Sequence, residues 1–243
     1  ATITPTVVAP TAPTATAQTQ SVLRGGTATY TTITGASGLA TGTRLQTSGD
    51  NATCLYTPST TTCDAGNVIE ITGQGTFTLN PTTGVVTYVA DANATAGTKT
   101  AITYRVTDIT GQTATSTLTP VVPPAPTARA NTSTGNYQAD QTITPLTNDD
   151  PGDASAPLVA TSVLLCGISP LETPPNCNQR SLSVGGEGTY TVNNDGSVLF
   201  EPVSTFTGTA TAISYQVSDS LGQVADSTIT VTVRTPPDAR NDT

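Results

Sequence analysis

The sequence predicts an all-β protein built as two tandem immunoglobulin-like antiparallel β-sandwich repeats joined by a Pro-rich linker. Three observations lead there. One stretch occurs twice, at residues 73–111 and 185–222. Within both copies apolar and polar residues alternate, the period at which side chains reach opposite faces of a strand. The composition is also that of extended backbone: charged residues make up 10% and aromatic residues 4% of 243, while Thr and Val abound. β-Branched side chains suit a pleated surface better than a helix.

The copies set the size of the unit. Gly75 and Gly188 lie 113 residues apart, as do Pro13 and Pro126, and Tyr104 and Tyr215 lie 111 apart. That period exceeds a solenoid turn and suits one self-sufficient sandwich of about 100 residues. Repeat 1 is expected over 13–122, the linker over 123–126 and repeat 2 over 127–235. Residues 1–12 resemble the closing strand and linker of a preceding repeat, and 236–243 the opening of a following one, as in a longer array.

In chain order, residues 2–13 read as an entering strand and Pro-rich segment, and 20–33 as one or two short strands. Residues 36–51 are Gly- and Ser-rich, a long loop with a weak strand near 44–47, and 67–72 form a strand. Phe77 and Leu79 then share one face, and after a turn Val86 and Tyr88 point inward. Tyr190 and Val192, then Val198 and Phe200, hold the matching places. The turn Asn193-Asn194-Asp195-Gly196 ends in Asp-Gly, a hairpin signal because Gly supplies a positive φ. Ile102, Tyr104 and Val106 alternate next, as do Ile213, Tyr215 and Val217. Tight turns follow from Asp108 to Gly111 and Asp219 to Gly222, and residues 113–122 and 224–233 close each unit. Proline fixes φ, so the run from Pro120 to Pro126 is expected to act as a semi-rigid spacer.

Composition excludes several functions. The chain has no His, so it offers no Ser-His-Asp or Cys-His pair and no imidazole ligand. Its acidic residues are sparse, and no enzyme is expected. A net charge of −9, with eight basic residues scattered singly, gives no stripe for nucleic acid and no attraction to an anionic membrane surface. No apolar run approaches the roughly 20 residues of a spanning helix, so this stretch inserts in no membrane.

The four cysteines form two close pairs, Cys54 with Cys63 and Cys166 with Cys177. Four cysteines allow three pairings; their matching positions favour one disulfide within each repeat. The rival, one metal held by all four thiolates, wants C-x-x-C spacing. Disulfides imply an oxidising, extracellular location. The densest oxygen cluster is Asn148-Asp149-Asp150-Pro151-Gly152-Asp153, where Asp149, Asp150 and Asp153 are weak candidate Ca²⁺ ligands. Repeat 1 lacks the cluster and the EF-hand spacing is absent, so a chain of Asx turns is preferred. No metal or other cofactor is expected. Tyr104 and Tyr215 could be ligand platforms, but their matched places in alternating strands make them core or tyrosine-corner residues. Asn51, Asn93 and Asn131 begin glycosylation sequons, relevant only in a eukaryotic source.

Repeat 2 resembles the CshA-type fibril repeat of Gram-positive surface adhesins, through Leu146–Asp153 (LTNDDPGD), Gly186–Val192 (GEGTYTV), Phe206–Thr211 (FTGTAT) and Tyr215–Asp219 (YQVSD). Repeat 1 is similar in its second half but has TTITGASGLATG where LTNDDPGDASAPL stands in repeat 2. Related bacterial immunoglobulin-like and cadherin-like repeats share these signals. The resemblance implies a cell-wall-attached fibril on the bacterial surface, with the repeats as stalk and a separate N-terminal region binding. Neighbouring repeats would be the partners. The alternative is that loops at one sandwich end contact a host protein or glycan. Some such stalks carry Lys–Asn isopeptide bonds, but Lys99 is the chain's one lysine and Ala210 takes its place in repeat 2. Lys99 is therefore expected to be a solvated surface charge.

Overall fold

The computed structural model describes residues 11–33, 45–46, 53–57, 60, 62–64 and 66–238. The expected entering strand before residue 11, most of the loop 36–51 including Asn51, and residues 239–243 lie outside them. The chain divides into two compact units, Ala1–Pro123 and Pro124–Thr243.

The first unit holds β1 (Gln18–Ser21), β2 (Thr27–Thr31), β3 (Thr53–Tyr56), β4 (Val68–Ile71), β5 (Gly75–Leu79), β6 (Val85–Ala90), β7 (Gly97–Thr98), β8 (Ile102–Thr107) and β9 (Thr113–Val122). The second repeats the series with β10 (Asn131–Gly135), β11 (Gln141–Ile143), β12 (Leu164–Leu165), β13 (Ser181–Val184), β14 (Gly188–Val192), β15 (Val198–Pro202), β16 (Gly208–Thr209), β17 (Ile213–Ser218) and β18 (Val224–Val233). Each unit is a sandwich of two sheets, ordered β1-β9-β8-β3 and β2-β6-β5-β4 in the first, β10-β18-β17-β12 and β11-β15-β14-β13 in the second. Short strands β7 and β16 extend β9 and β18.

The inward residues of the alternating strands make the cores. Tyr30, Phe77, Tyr88, Ile102, Tyr104 and Leu118 are sealed in the first; Tyr190, Phe200, Ile213, Tyr215 and Ile229 are sealed in the second, a separate cluster. The aromatic pair at the centre is Phe77–Tyr88 in one and Tyr190–Phe200 in the other, with ring centroids 4.6 and 4.5 Å apart. The hydroxyl sits on the second strand of the pair in one repeat and on the first in the other, while the ring packing is kept.

Two features differ from the expectation. β1 runs parallel to β9, and β10 parallel to β18, whereas the other strand pairs are antiparallel. The first strand thus points the same way as the last, so the chain enters each unit at the end of the Asp108 or Asp219 turn and leaves at the opposite end. In the second unit that entry is fixed: Gln223 Nε2 donates to the Pro124 carbonyl at 3.3 Å. The second difference is the spacer. Pro120, Val121 and Val122 belong to β9, leaving residues 123–126 without a strand. Pro120 is accommodated because its neighbour β8 stops pairing at Leu118 and β7 starts at Val121, so its missing N–H removes no bond from either ladder. β3 escaped the alternation reading because three of its four residues are buried, which leaves no period of two.

Gly75 and Gly188 open β5 and β14 for a steric reason. At Gly75, where φ is +150°, a Cβ would meet the Val89 carbonyl oxygen at 2.3 Å and Tyr88 Cζ at 2.7 Å. At Gly188 it would meet the Glu201 carbonyl oxygen and a Phe200 ring carbon, each at 2.6 Å. The central aromatic ring of each repeat lies over this glycine.

Candidate functional site

The entry end of each repeat is a corner built on its buried tyrosine. β8 and β17 carry Tyr104 and Tyr215 inward, with both rings fully buried. The Tyr104 hydroxyl donates to the Thr16 carbonyl at 2.7 Å and accepts from the Thr16 N–H at 3.1 Å, so it holds the segment that leads into β1. Arg129 occupies the Thr16 position in repeat 2. There the Tyr215 hydroxyl donates to the Asp149 carboxylate, 2.8 and 2.9 Å from its two oxygens, lies 3.0 Å from the Arg129 carbonyl, and accepts from Asn131 Nδ2 at 3.2 Å. Asp149 also accepts the Arg129 N–H at 2.8 Å. Burial, and then the Asp149 carboxylate, push the Tyr215 hydroxyl well above its ordinary value. Burial likewise raises the half-buried Asp149 despite the bonds from Arg129 and Tyr215. Both tyrosines are core residues that act as corners, not exposed ligand platforms.

The candidate Ca²⁺ residues are spread over separate turns. Asp149 faces Tyr215 and Arg129, Asp150 accepts the Gly152 N–H at 2.8 Å, and Asp153 accepts the Ser155 N–H and hydroxyl at 2.9 and 2.7 Å. The Ser155 bonds hold the Asp153 carboxyl below the ordinary range. Among the described residues no three His, Cys, Asp or Glu side chains are placed to share an ion. The same device builds the closing turns. Asp108 Oδ1 accepts from Thr110 N, Thr110 Oγ1 and Gln112 N, and Asp219 Oδ1 from Leu221 N and Gln223 N. Burial would raise Asp108, but the Thr110 hydroxyl and the N–H groups of Gln112, Thr110 and Gly111 outweigh it and hold it low.

Each repeat carries one disulfide. Cys54 and Cys63 have Cα atoms 5.5 Å apart and Cys166 and Cys177 4.2 Å, and no described cysteine is free. The loop closed by Cys166 and Cys177 is organised from within by Glu172. Its Oε2 accepts the N–H of Gly167 at 2.8 Å and of Asn178 at 3.2 Å, and its Oε1 accepts Gln179 Nε2 at 3.0 Å. The Gly167 N–H, then the Gln179 amide, hold the Glu172 carboxyl low. Cys177 N–H donates to Gln216 Oε1, tying the loop to β17. At the tip, Ile168 pairs with Leu171, whose side chain is 77% exposed.

Lys99 is not a solvated charge. It is 7% exposed, and its Nζ donates to the carbonyl and Oγ1 of Thr95. Lys99 N–H donates to Pro120 O just as Ala210 N–H donates to Val231 O, so the position itself faces inward and Ala210 is buried too. The long stem is covered and the ammonium satisfied locally by Thr95, not by an Asn. Asn131 is buried and its amide is used on Arg129 and Tyr215.

Both repeats match the family of the surface adhesin CshA repetitive domain, over residues 10–122 and 123–233. The chain belongs to that family. As CshA repeats, the two units are extracellular cell-surface adhesion modules and not an enzyme. No curated protein matches the chain. Solved structures to which the chain is similar include the human desmocollin-1 ectodomain (14% identity, TM-score 0.36) and extracellular cadherin domains 1–4 of protocadherin gamma B7 (10%, 0.38), each over 92% of this chain. The titin I-band fragment I67–I69 is similar over 93% at 10% identity and a TM-score of 0.32. The chain spans 37%, 51% and 66% of those three chains respectively. No helix among the described residues is long and apolar enough to cross a membrane.

Proposed function

We propose that these CshA repeats are stalk modules of a bacterial surface adhesin, with boundaries at 13–122 and 127–235, and that they hold a binding region away from the cell. The observation that carries this reading is the parallel pairing of first and last strands in each repeat, β1 with β9 and β10 with β18. A unit entered at one end and left at the other can be added in series, each copy lengthening the chain by one sandwich. Separate cores, tyrosine corners holding the entry segment and a disulfide within each repeat let every unit resist force and proteolysis by itself. Neighbouring repeats are then the partners. Small-angle scattering on one, two and four repeats tests it: the maximum dimension grows in proportion to repeat number. A four-repeat chain as compact as a globular protein of its mass rejects the stalk.

A second reading has one observation in its favour. Leu171 is exposed at the tip of a loop that a disulfide and Glu172 hold in shape, as a preorganised contact with a host protein would be. Saturable adhesion of the purified chain to host cells, lost in Leu171→Asp, would support loop binding over a purely mechanical role.

A further inference from the structure

We propose that the parallel strand pair of each repeat is its force-bearing lock, and that Gln141 braces the lock of repeat 2 so that repeat 1 opens first under tension. The inference rests on the stalk reading, in which tension runs along the chain. It enters each repeat at the start of the first strand and leaves at the end of the last. Because β10 lies parallel to β18, with Asn131 beside Ile229 and Gly135 beside Val233, those two points sit at opposite ends of the pair. Pulling on them slides one strand along the other and loads all the ladder bonds at once. An antiparallel hairpin pulled at its open end would lose its bonds one by one. β1 and β9 meet in the same sense, from Gln18 beside Leu118 to Ser21 beside Val121.

The two locks differ in one polar side chain. Gln141 belongs to β11, in the opposite sheet, yet its amide reaches both strands of the pair. Its Nε2 donates to the Thr232 carbonyl of β18 at 3.1 Å, and its Oε1 accepts the Ser133 hydroxyl of β10 at 2.7 Å. The side chain is 6% exposed and lies over Gly135, where a Cβ would meet Gln141 Cδ at 2.5 Å and Cγ at 2.6 Å. The repeat spacing places Val22 and Ala28, both buried, where repeat 2 has Gly135 and Gln141, and Ala28 faces Tyr88 in register as Gln141 faces Phe200. An apolar pair therefore fills this place in repeat 1, so packing alone does not call for an amide there. Alanine has no polar atom to bond β1 or β9. Gln18 of repeat 1 does bond the Thr31 backbone, but that ties β1 to β2 at the surface and leaves β9 out. Sliding β10 past β18 must break both buried Gln141 bonds together with the ladder.

The test is single-molecule force spectroscopy on the whole chain, held at its termini with both disulfides formed. Two unfolding events of unequal force are expected. Gln141→Met keeps an unbranched side chain over Gly135 and removes both bonds. It should raise the unfolding rate of the stronger event, at a given force, by about tenfold, the loss of one to two buried hydrogen bonds, and leave the weaker event unmoved. Ser133→Ala removes one bond and should fall between. Gly188→Ala is the control for stability as such: it strains β14 and β15, outside the lock, so it should lower the urea midpoint of repeat 2 and leave its unfolding force at the wild-type value. Equal forces for the two repeats, a force that ignores Gln141→Met, or one that falls as far in Gly188→Ala overturns the proposal. A chain extended in scattering but unmoved by Gln141→Met rejects the brace alone, whereas a compact chain rejects the stalk whatever the forces.

Discussion

Two tyrosines of repeat 2 are fully buried and alike in sequence setting, yet replacing each by phenylalanine should act with opposite sign. Tyr215→Phe removes a hydroxyl that bonds the Asp149 carboxylate and accepts from Asn131. A hydrogen bond to a charged group contributes about 1.5–3 kcal/mol, and the half-buried carboxylate loses a donor as well. A loss of about 2–3 kcal/mol is expected, or roughly 8–15 °C in the melting of a domain this size. Tyr190 Oη, in contrast, is buried with no partner, and its hydroxyl is pushed up to about 12 by burial. Tyr190→Phe keeps the ring against Phe200 and removes an unsatisfied polar group, so it should be neutral or stabilising by up to about 1 kcal/mol. Urea unfolding of the whole chain, followed through resolved NMR signals of each repeat, reads both changes and leaves repeat 1 as internal reference. Equal destabilisation by the two substitutions would refute the reasoning, because ring burial and not hydroxyl partnership would then be deciding.

Gly188→Ala places a Cβ 2.6 Å from Phe200 and the Glu201 carbonyl, and should cost about 1–3 kcal/mol by overpacking, read as a lower urea midpoint for repeat 2 alone; an unchanged midpoint would mean that the β14–β15 pair yields easily. Replacing Cys166 and Cys177 by Ser should cost about 2.5–3 kcal/mol from the chain entropy of the opened loop, lowering the melting of repeat 2 but not of repeat 1. A shared drop in both repeats would contradict independent cores. Asp149 sets a pH dependence. Its folded-state carboxyl is raised, so its contribution is fully present below the ordinary aspartate range and is lost as pH rises through the raised value. Wild type should therefore lose stability relative to Asp149→Asn over that rise, and a relative gain would reverse the assigned sign. Glu172 is held low, so the loop it organises should loosen as pH falls through its depressed value, seen as a smaller amide protection factor at Gly167 and Asn178; protection factors unchanged by acid would remove Glu172 as the organiser.

The repeat, its strands of alternating pattern and the inward set from Phe77 to Val217 are legible in the residues alone, because a period of two and a copied pattern are local properties of the chain. β9 and β18 coincide with the stretches 113–122 and 224–233 read from alternation alone. Long-range packing settles what local pattern cannot reach. The parallel pairing of β1 with β9 joins residues 100 apart. The buried Lys99, just after β7, turns on the Thr95 groups that take its ammonium, and the unlike fates of Tyr190 and Tyr215 turn on what lies at the tip of each ring.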